Sequence, residues 1–287
     1  MMKIFTEEEL REELTGIIGQ GWIRSRRPGN DGSVGNTIED LLEIPENNLQ
    51  VADAGQFEIK GKKTQSGALL TLYHLDPLPR IKFPGRSRIS SPIQPILVDK
   101  FGWPHRTREG ENSFRLTINT RRESGRGFRL VMNRDQETLT LAFNPELVDA
   151  QYSEWLDTVY RRTQPQLSES FNEVVSVDSS LLNPEPYWRL SDIIEGASKL
   201  EHTILVLASS RSKEGYREFN YKEAYVFRSL QNSRFLDALE NGIMEVDFDA
   251  RTGHNHGTKF RIRKNLLSTI FDSVETFIEG NEQTILE

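Results

Sequence analysis

The hydrophobic pattern of this chain changes period several times, and that alternation restricts the fold more than any other feature of the sequence. Leu10, Leu14, Ile17 and Ile18 recur at helical spacing, with Thr6 and Glu9 placed to form a capping box ahead of them. Gly19-Gln20-Gly21 ends that helix. From Gln56 to Lys60 the period drops to two, so Phe57 and Ile59 share one face of a strand and Glu58 and Lys60 the other. A polar turn over 62–67 and a second apolar run over 68–74 complete an expected hairpin. Strand-like runs follow at 114–119, 128–132, 138–143, 203–207, 244–248 and 259–263. Helix-like runs lie at 36–43, 153–161, 190–200, 221–239 and 266–278. Strands and helices interspersed in this order predict a mixed α/β or α+β architecture. The proline-rich stretch 77–95 is expected to form a long surface loop, a feature that usually serves function.

Composition narrows the classes. With 36% hydrophobic and 28% charged residues the chain has the makeup of a globular protein. No apolar run approaches the roughly 18 residues of a membrane-spanning helix. The absence of cysteine rules out disulfides and thiolate metal sites. Together with an amino terminus that turns acidic too soon for a signal peptide, it leads us to expect a cytoplasmic protein with no membrane partner. A net charge of −7 argues against a nucleic-acid partner only if it is evenly spread. It is not: residues 80–129 hold 12 Lys and Arg against 4 Asp and Glu, and the rest of the chain holds 24 against 39. Residues 251–264 add five Lys or Arg and two His with no acid. Two cationic segments on an acidic body make a polarised surface that suits a polyanion. Arginines scattered over solvated faces would give the same count.

Chemistry enters with Asp53-x-x-x-x-Glu58-Ile59-Lys60. Phosphodiester hydrolysis needs a hard cation to polarise the phosphoryl group and acidify water, and Mg²⁺ takes oxygen ligands. Asp53 and Glu58 offer carboxylates and Ile59 its backbone carbonyl. Lys60, on the same strand face as Glu58, stands where it can orient the attacking water and offset developing charge. The spacing alone describes a solvated strand face equally well. On the preceding helix Ile38, Leu41 and Leu42 define the buried stripe, so Glu39 borders it and can reach inward while Asp40 points away. Glu43, one turn on, is the second choice. Glu39 can as well close a capping box with Asn36.

Toward the carboxyl end, Gly253-His254-Asn255-His256-Gly257-Thr258-Lys259-Phe260-Arg261 reads as a tight glycine-bounded loop leading into a cationic strand. Imidazole and guanidinium groups there can read base edges in a DNA groove, arginine pairing with guanine through two bonds. A transition-metal site is disfavoured, because no third soft ligand lies nearby. The letters H-N-H are a coincidence, since that nuclease motif spreads over a longer unit. A loop whose histidines merely cap a strand remains the plain alternative.

These segments together resemble the MvaI/BcnI-type restriction endonucleases, which are related to MutH within the PD-(D/E)xK superfamily. The matching residues are Met2-Lys3-Ile4, Asp31-Gly32-x-Val34-Gly35-x-x-x-Glu39, Glu46-Asn47-Asn48, Asp53-x-Gly55-x-Phe57-Glu58-x-Lys60-Gly61, Leu70-Thr71-Leu72-Tyr73-His74-x-x-Pro77 and His254-x-His256-Gly257-Thr258-x-Phe260-Arg261-Ile262. They cover residues 1–77 and about 200–265, and the middle, 78–200, departs from the pattern. The resemblance implies a restriction-endonuclease-like core in a two-lobed clamp around duplex DNA, with a catalytic lobe over 1–140 and a recognition lobe over 141–287 that can interleave. It implies Glu39, Asp53, Glu58 and Lys60 as catalytic residues, and Asp53, Glu58 and Ile59 as Mg²⁺ ligands. His74, Arg251, His254, His256, Lys259 and Arg261 become the expected DNA contacts. The implied protein is a monomer that cuts short G·C-rich near-palindromes of the CC-N-GG kind, with a cognate methyltransferase as its genetic partner. A MutH-like nicking enzyme and a catalytically silent DNA-binding protein are the alternatives.

Overall fold

The computed structural model describes residues 4–27, 32–44, 52–80, 93–161 and 185–280. In its first half come α1 (Glu7–Gly19), β1 (Trp22–Arg24), α2 (Ser33–Leu41), β2 (Glu58–Lys63), β3 (Leu70–His74), α3 (Gln94–Phe101), β4 (Trp103–Pro104), β5 (Asn112–Ile118), β6 (Arg126–Asn133) and β7 (Thr138–Val148). There follow α4 (Ser153–Arg161), β8 (Tyr187–Arg189), α5 (Leu190–Ala197), β9 (His202–Lys213), β10 (Tyr216–Leu230), α6 (Asn232–Glu240), β11 (Met244–Arg251), β12 (His254–Ile262) and β13 (Phe271–Ile278). The architecture is mixed α+β. No helix among the described residues is long and apolar enough to cross a membrane.

The chain forms two compact units. One comprises Met1–Leu70, Ala197–Phe235 and Arg263–Glu287, the other Thr71–Gly196 and Leu236–Ile262. Long-range strand pairing rather than chain order sets them, so neither unit ends at residue 140.

The first unit is built on a sheet of order β1-β10-β9-β2, with β13 also paired to β10. β2 runs parallel to β9, Glu58 standing opposite Thr203 and Lys60 opposite Leu205. Leu10, Leu14 and Ile17 of α1, Val34 and Ile38 of α2, and Phe57, Ile59, Ile204, Val206 and Tyr221 of the sheet share one buried cluster. The predicted capping box of α1 is present, with Thr6 and Glu9 each accepting the other's backbone N–H. The second unit holds sheets of order β3-β12-β11-β5-β4 and β6-β7-β8. Its core is aromatic: Phe114 meets Phe128 and Phe248 edge-on, and Tyr73 stacks on Phe260 at 5.0 Å.

Four sequence expectations are corrected. The 56–74 hairpin does not form, because β2 and β3 lie in different sheets. Residues 221–230 continue β10 instead of starting a helix, and only Asn232–Glu240 is helical. A register shift between Tyr221 and Glu223 inserts a bulge, and this breaks strict alternation into spacing that imitates a helix. Over 266–278 a 3-10 stretch, Lys264–Ile270, gives way to β13, whose Val274 is exposed. A three-residue period followed by alternation also mimics helical spacing. Finally, His254 and His256 lie within β12 itself, after a turn at Gly253 with φ of +72°.

Candidate active site and recognition face

The geometry of the first unit's site begins with two glycines. A Cβ added at Gly61 of β2 would stand 2.7 Å from both the Cα and the N of Gly35 in α2, so the helix can lie this close to the strand only because Gly61 carries no side chain. Tyr221, fully buried in β10, donates its hydroxyl to the Val34 carbonyl at 2.7 Å and fastens the same helix from the sheet side. This contact brings Glu39 toward the strand that carries Glu58 and Lys60. Asn36 lies inside α2, whose N-cap is Gly32 without a side-chain cap bond. Glu39 is therefore not spent on a capping box. Glu43 falls beyond the helix with φ of +58°.

Glu58 is 1% exposed, which sets it apart from a solvated strand position. Lys60 Nζ lies 2.5 Å from its Oε1. Asp53, in the turn before β2, accepts the Ile59 N–H at 3.2 Å. Burial raises the Asp53 pKa to about 6, helped by the charge of Glu58 and opposed by Lys60 and Lys199. Glu39 is raised to about 7, first by burial and then by the charge of Asp53. Three carboxylates are thus crowded into one desolvated place with too little positive charge among them. Asp40, as expected, points elsewhere and pairs with Arg27 at 2.6 Å.

The expected DNA contacts lie in the second unit, on β3, β11 and β12. His74, at the end of β3, approaches Gly257: a Cβ there would be 3.3 Å from His74 Cδ2. The His254 and His256 rings are 4.2 Å apart, edge to face, and burial lowers the His256 pKa despite the nearby Asp249. Along β12 the side chains of Thr258, Phe260 and Ile262 are buried while those of Lys259 and Arg261 face away. Each cation meets an acid: Arg261 pairs with Asp247 at 2.8 Å, Lys259 with Asp249 at 3.0 Å, and Arg251 with Glu111 at 2.8 Å. Arg115 of β5 adds a 3.2 Å pair to Asp249. Burial raises the Asp249 pKa, but the hydrogen bond and charge of Lys259 outweigh it and hold the group below its usual value.

The family model for the MvaI/BcnI restriction endonuclease family matches residues 11–271. The chain belongs to that family. Its fold is similar to that of MvaI in the structure titled "Restriction endonuclease MvaI-cognate DNA substrate complex", with a TM-score of 0.71 at 21% identity, covering 95% of this chain and 98% of that one. MvaI in the absence of DNA matches with a TM-score of 0.46 at 19% identity, over 97% of this chain and 100% of that one. No curated protein matches the chain.

In an MvaI/BcnI-family chain the carboxylate cluster raises the question of a divalent cation. No three His, Asp or Glu side chains among the described residues are grouped tightly enough to hold a metal ion as they stand. The donor set nevertheless fits one. All its members are hard oxygens, and the buried Oε2 of Glu58 has no hydrogen-bond partner among the described residues. Burial first, and then mutual repulsion, raise Asp53 and Glu39, and a divalent cation offsets both by stabilising the charged carboxylates.

Sequence reasoning missed several functional candidates. Lys199, on the 3-10 turn Ser198–Leu200 before β9, lies 2.9 Å from Glu58 Oε1. Only the parallel pairing of β2 and β9 brings it there, and nothing local in the sequence signals that. Asp76 accepts from Gln94 Nε2 at 2.5 Å and from the Thr258 N–H at 2.9 Å, fixing β12 just past the histidines. Asp247 and Asp249 lie on β11; the expected strand stopped at 248, and their pairing with the cations of β12 and β5 is non-local.

Proposed function

We propose that this chain is a type II restriction endonuclease that hydrolyses phosphodiester bonds in double-stranded DNA at a short, G·C-rich near-palindrome of the CC-N-GG kind. The observation that carries the reading is the buried Glu58, paired to Lys60 and crowded by Asp53 and Glu39, in a chain of this family. Asp53, Glu58 and the Ile59 carbonyl are the residues that would hold Mg²⁺. When bound, it supplies Lewis-acid polarisation of the phosphoryl group and a lowered pKa for water.

The chain's own residues do the rest. Lys60 Nζ donates hydrogen bonds to the attacking water and to a non-bridging phosphate oxygen, offsetting charge as the water oxygen bonds to phosphorus and the ester bond breaks. Glu39, on α2 and with its pKa raised to about 7, takes a proton from that water in this reading. Arg261, Lys259, Arg251, His254, His256 and His74 form the face that meets the DNA, the arginines suiting guanine O6 and N7. We read the enzyme as a cytoplasmic monomer whose host DNA is protected by a cognate methyltransferase.

The test is digestion of methyl-free genomic DNA with Mg²⁺ and, in parallel, with EDTA, followed by sequencing of the ends. Discrete Mg²⁺-dependent ends sharing one short motif are expected. Random degradation, or intact DNA, would sink the reading.

A further inference from the structure

Lys199 belongs to none of the motifs that led to the site, yet it is one of two ammonium groups on a single carboxylate oxygen. Its Nζ lies 2.9 Å from Glu58 Oε1, which Lys60 Nζ approaches to 2.5 Å, and both lysine side chains are 15% exposed. The other glutamate oxygen, Oε2, is buried without a hydrogen-bond partner among the described residues. The lysine is firmly carried. Thr203 donates its hydroxyl to the Leu200 carbonyl at 2.9 Å, and Thr203 is the residue that stands opposite Glu58 between the parallel strands.

We propose that Lys199 is a positioning residue, the standing counter-ion that keeps Glu58 paired and oriented while Lys60 turns to the reacting phosphate. The proposal rests on reading this cluster as the nuclease site. If Lys60 were the only partner, its departure would strand a buried carboxylate, and an uncompensated buried charge is strongly destabilising. With Lys199 on the same oxygen, Oε1 stays held, Oε2 keeps its direction, and Lys60 is released for chemistry. The need for Lys199 thus follows from the burial of Glu58.

The experiment compares the wild type with Lys199→Met and Lys199→Arg. The first readout is Ca²⁺ affinity of the DNA-free protein, by calorimetry. Lys199→Met removes one positive charge from the cluster, so Ca²⁺ is expected to bind more tightly, on the order of tenfold. Lys199→Arg keeps the charge and stays near the wild type. The second readout is single-turnover cleavage in Mg²⁺, expected to slow by about 10–100-fold in Lys199→Met. Ca²⁺ affinity that is unchanged or lower in Lys199→Met overturns the proposal, as does an unchanged cleavage rate. Should Lys199→Met fail to fold, Glu58→Gln combined with it is expected to restore folding, because the charge that needs a partner is gone. A double variant that stays unfolded overturns the proposal. A wild type that cuts no DNA defeats the nuclease reading, while the Ca²⁺ comparison still decides whether Lys199 serves Glu58.

Discussion

Charge is handled in opposite ways in the two units. Among the described residues around β2, three carboxylates (Glu39, Asp53, Glu58) face two lysines in a desolvated place, and one glutamate oxygen has no hydrogen-bond partner. On the β5-β11-β12 face the acids of the middle strand, Glu245, Asp247 and Asp249, are matched by Arg122, Arg261, Lys259 and Arg115. The same residue type responds in opposite senses: Asp53 is raised to about 6, whereas Asp249 is held below its usual value. An unbalanced cluster stores a demand for a cation, which suits chemistry. A balanced ladder is quiet until a stronger anion or base edge competes for its cations, which suits selection. Substitutions in the first should therefore act on rate, and in the second on affinity and its salt dependence.

The sharpest break of this contrast is Lys60→Ala. Cleavage is expected to fall by about 10²–10³-fold or more, while duplex binding measured in Ca²⁺ stays near the wild type. Retained cleavage would move the chemistry out of this cluster. Next comes Gly61→Ala, whose Cβ would stand 2.7 Å from Gly35 Cα. Forcing α2 off the strand is expected to cost about 1–3 kcal/mol in urea unfolding and to slow cleavage as Glu39 moves with its helix. Gly35→Ala is the control, since its Cβ would meet Gly61 N only at 3.7 Å. It should be tolerated, with a helix-propensity gain of up to about 1 kcal/mol. Equal damage from both would mean that the helix–strand approach is not what positions the site.

How much of this was legible depends on the range of the contact. The capping box of α1 and the helix over Ser153–Arg161 are local matters and could be read directly. The catalytic candidates on α2 and β2 lie within a short stretch of chain, so their spacing could be read locally even though the hairpin drawn around them does not form. What failed was non-local. The bulge in β10 and the 3-10 stretch before β13 corrupted the alternation that marks a strand. The partner of β2 lies far along the chain, and with it Lys199. The cations of β12 were visible as a run, but their neutralisation by Asp247 and Asp249 depends on the β11–β12 register, in which Asp247 stands opposite Lys259.

That register supplies the finer tests. Arg261→Ala is expected to relax discrimination between the cognate and a single-substituted site by about 1–3 kcal/mol, measured by competition binding in Ca²⁺. A uniform, salt-dependent loss across all sequences would reassign Arg261 to the phosphate backbone.

Asp247→Asn should have the smallest effect and an opposite sign. Asp247 accepts from Arg261 Nη1 at 2.8 Å and from the Thr117 hydroxyl at 2.7 Å. Neutralising it leaves the geometry of the strand intact but weakens the hold on the guanidinium. Non-specific duplex binding should then tighten, and the slope of log K against log salt should steepen by about one phosphate equivalent. Discrimination should fall by less than about 1 kcal/mol, because the partly exposed pair contributes little by itself. The two variants thus separate if the ladder is a face that DNA competes for: Arg261→Ala loses discrimination, and Asp247→Asn gains non-specific affinity. If the sheet face is only a solvated surface, neither variant will change the salt slope, and the contrast between a cluster built for chemistry and a face built for selection loses its second half.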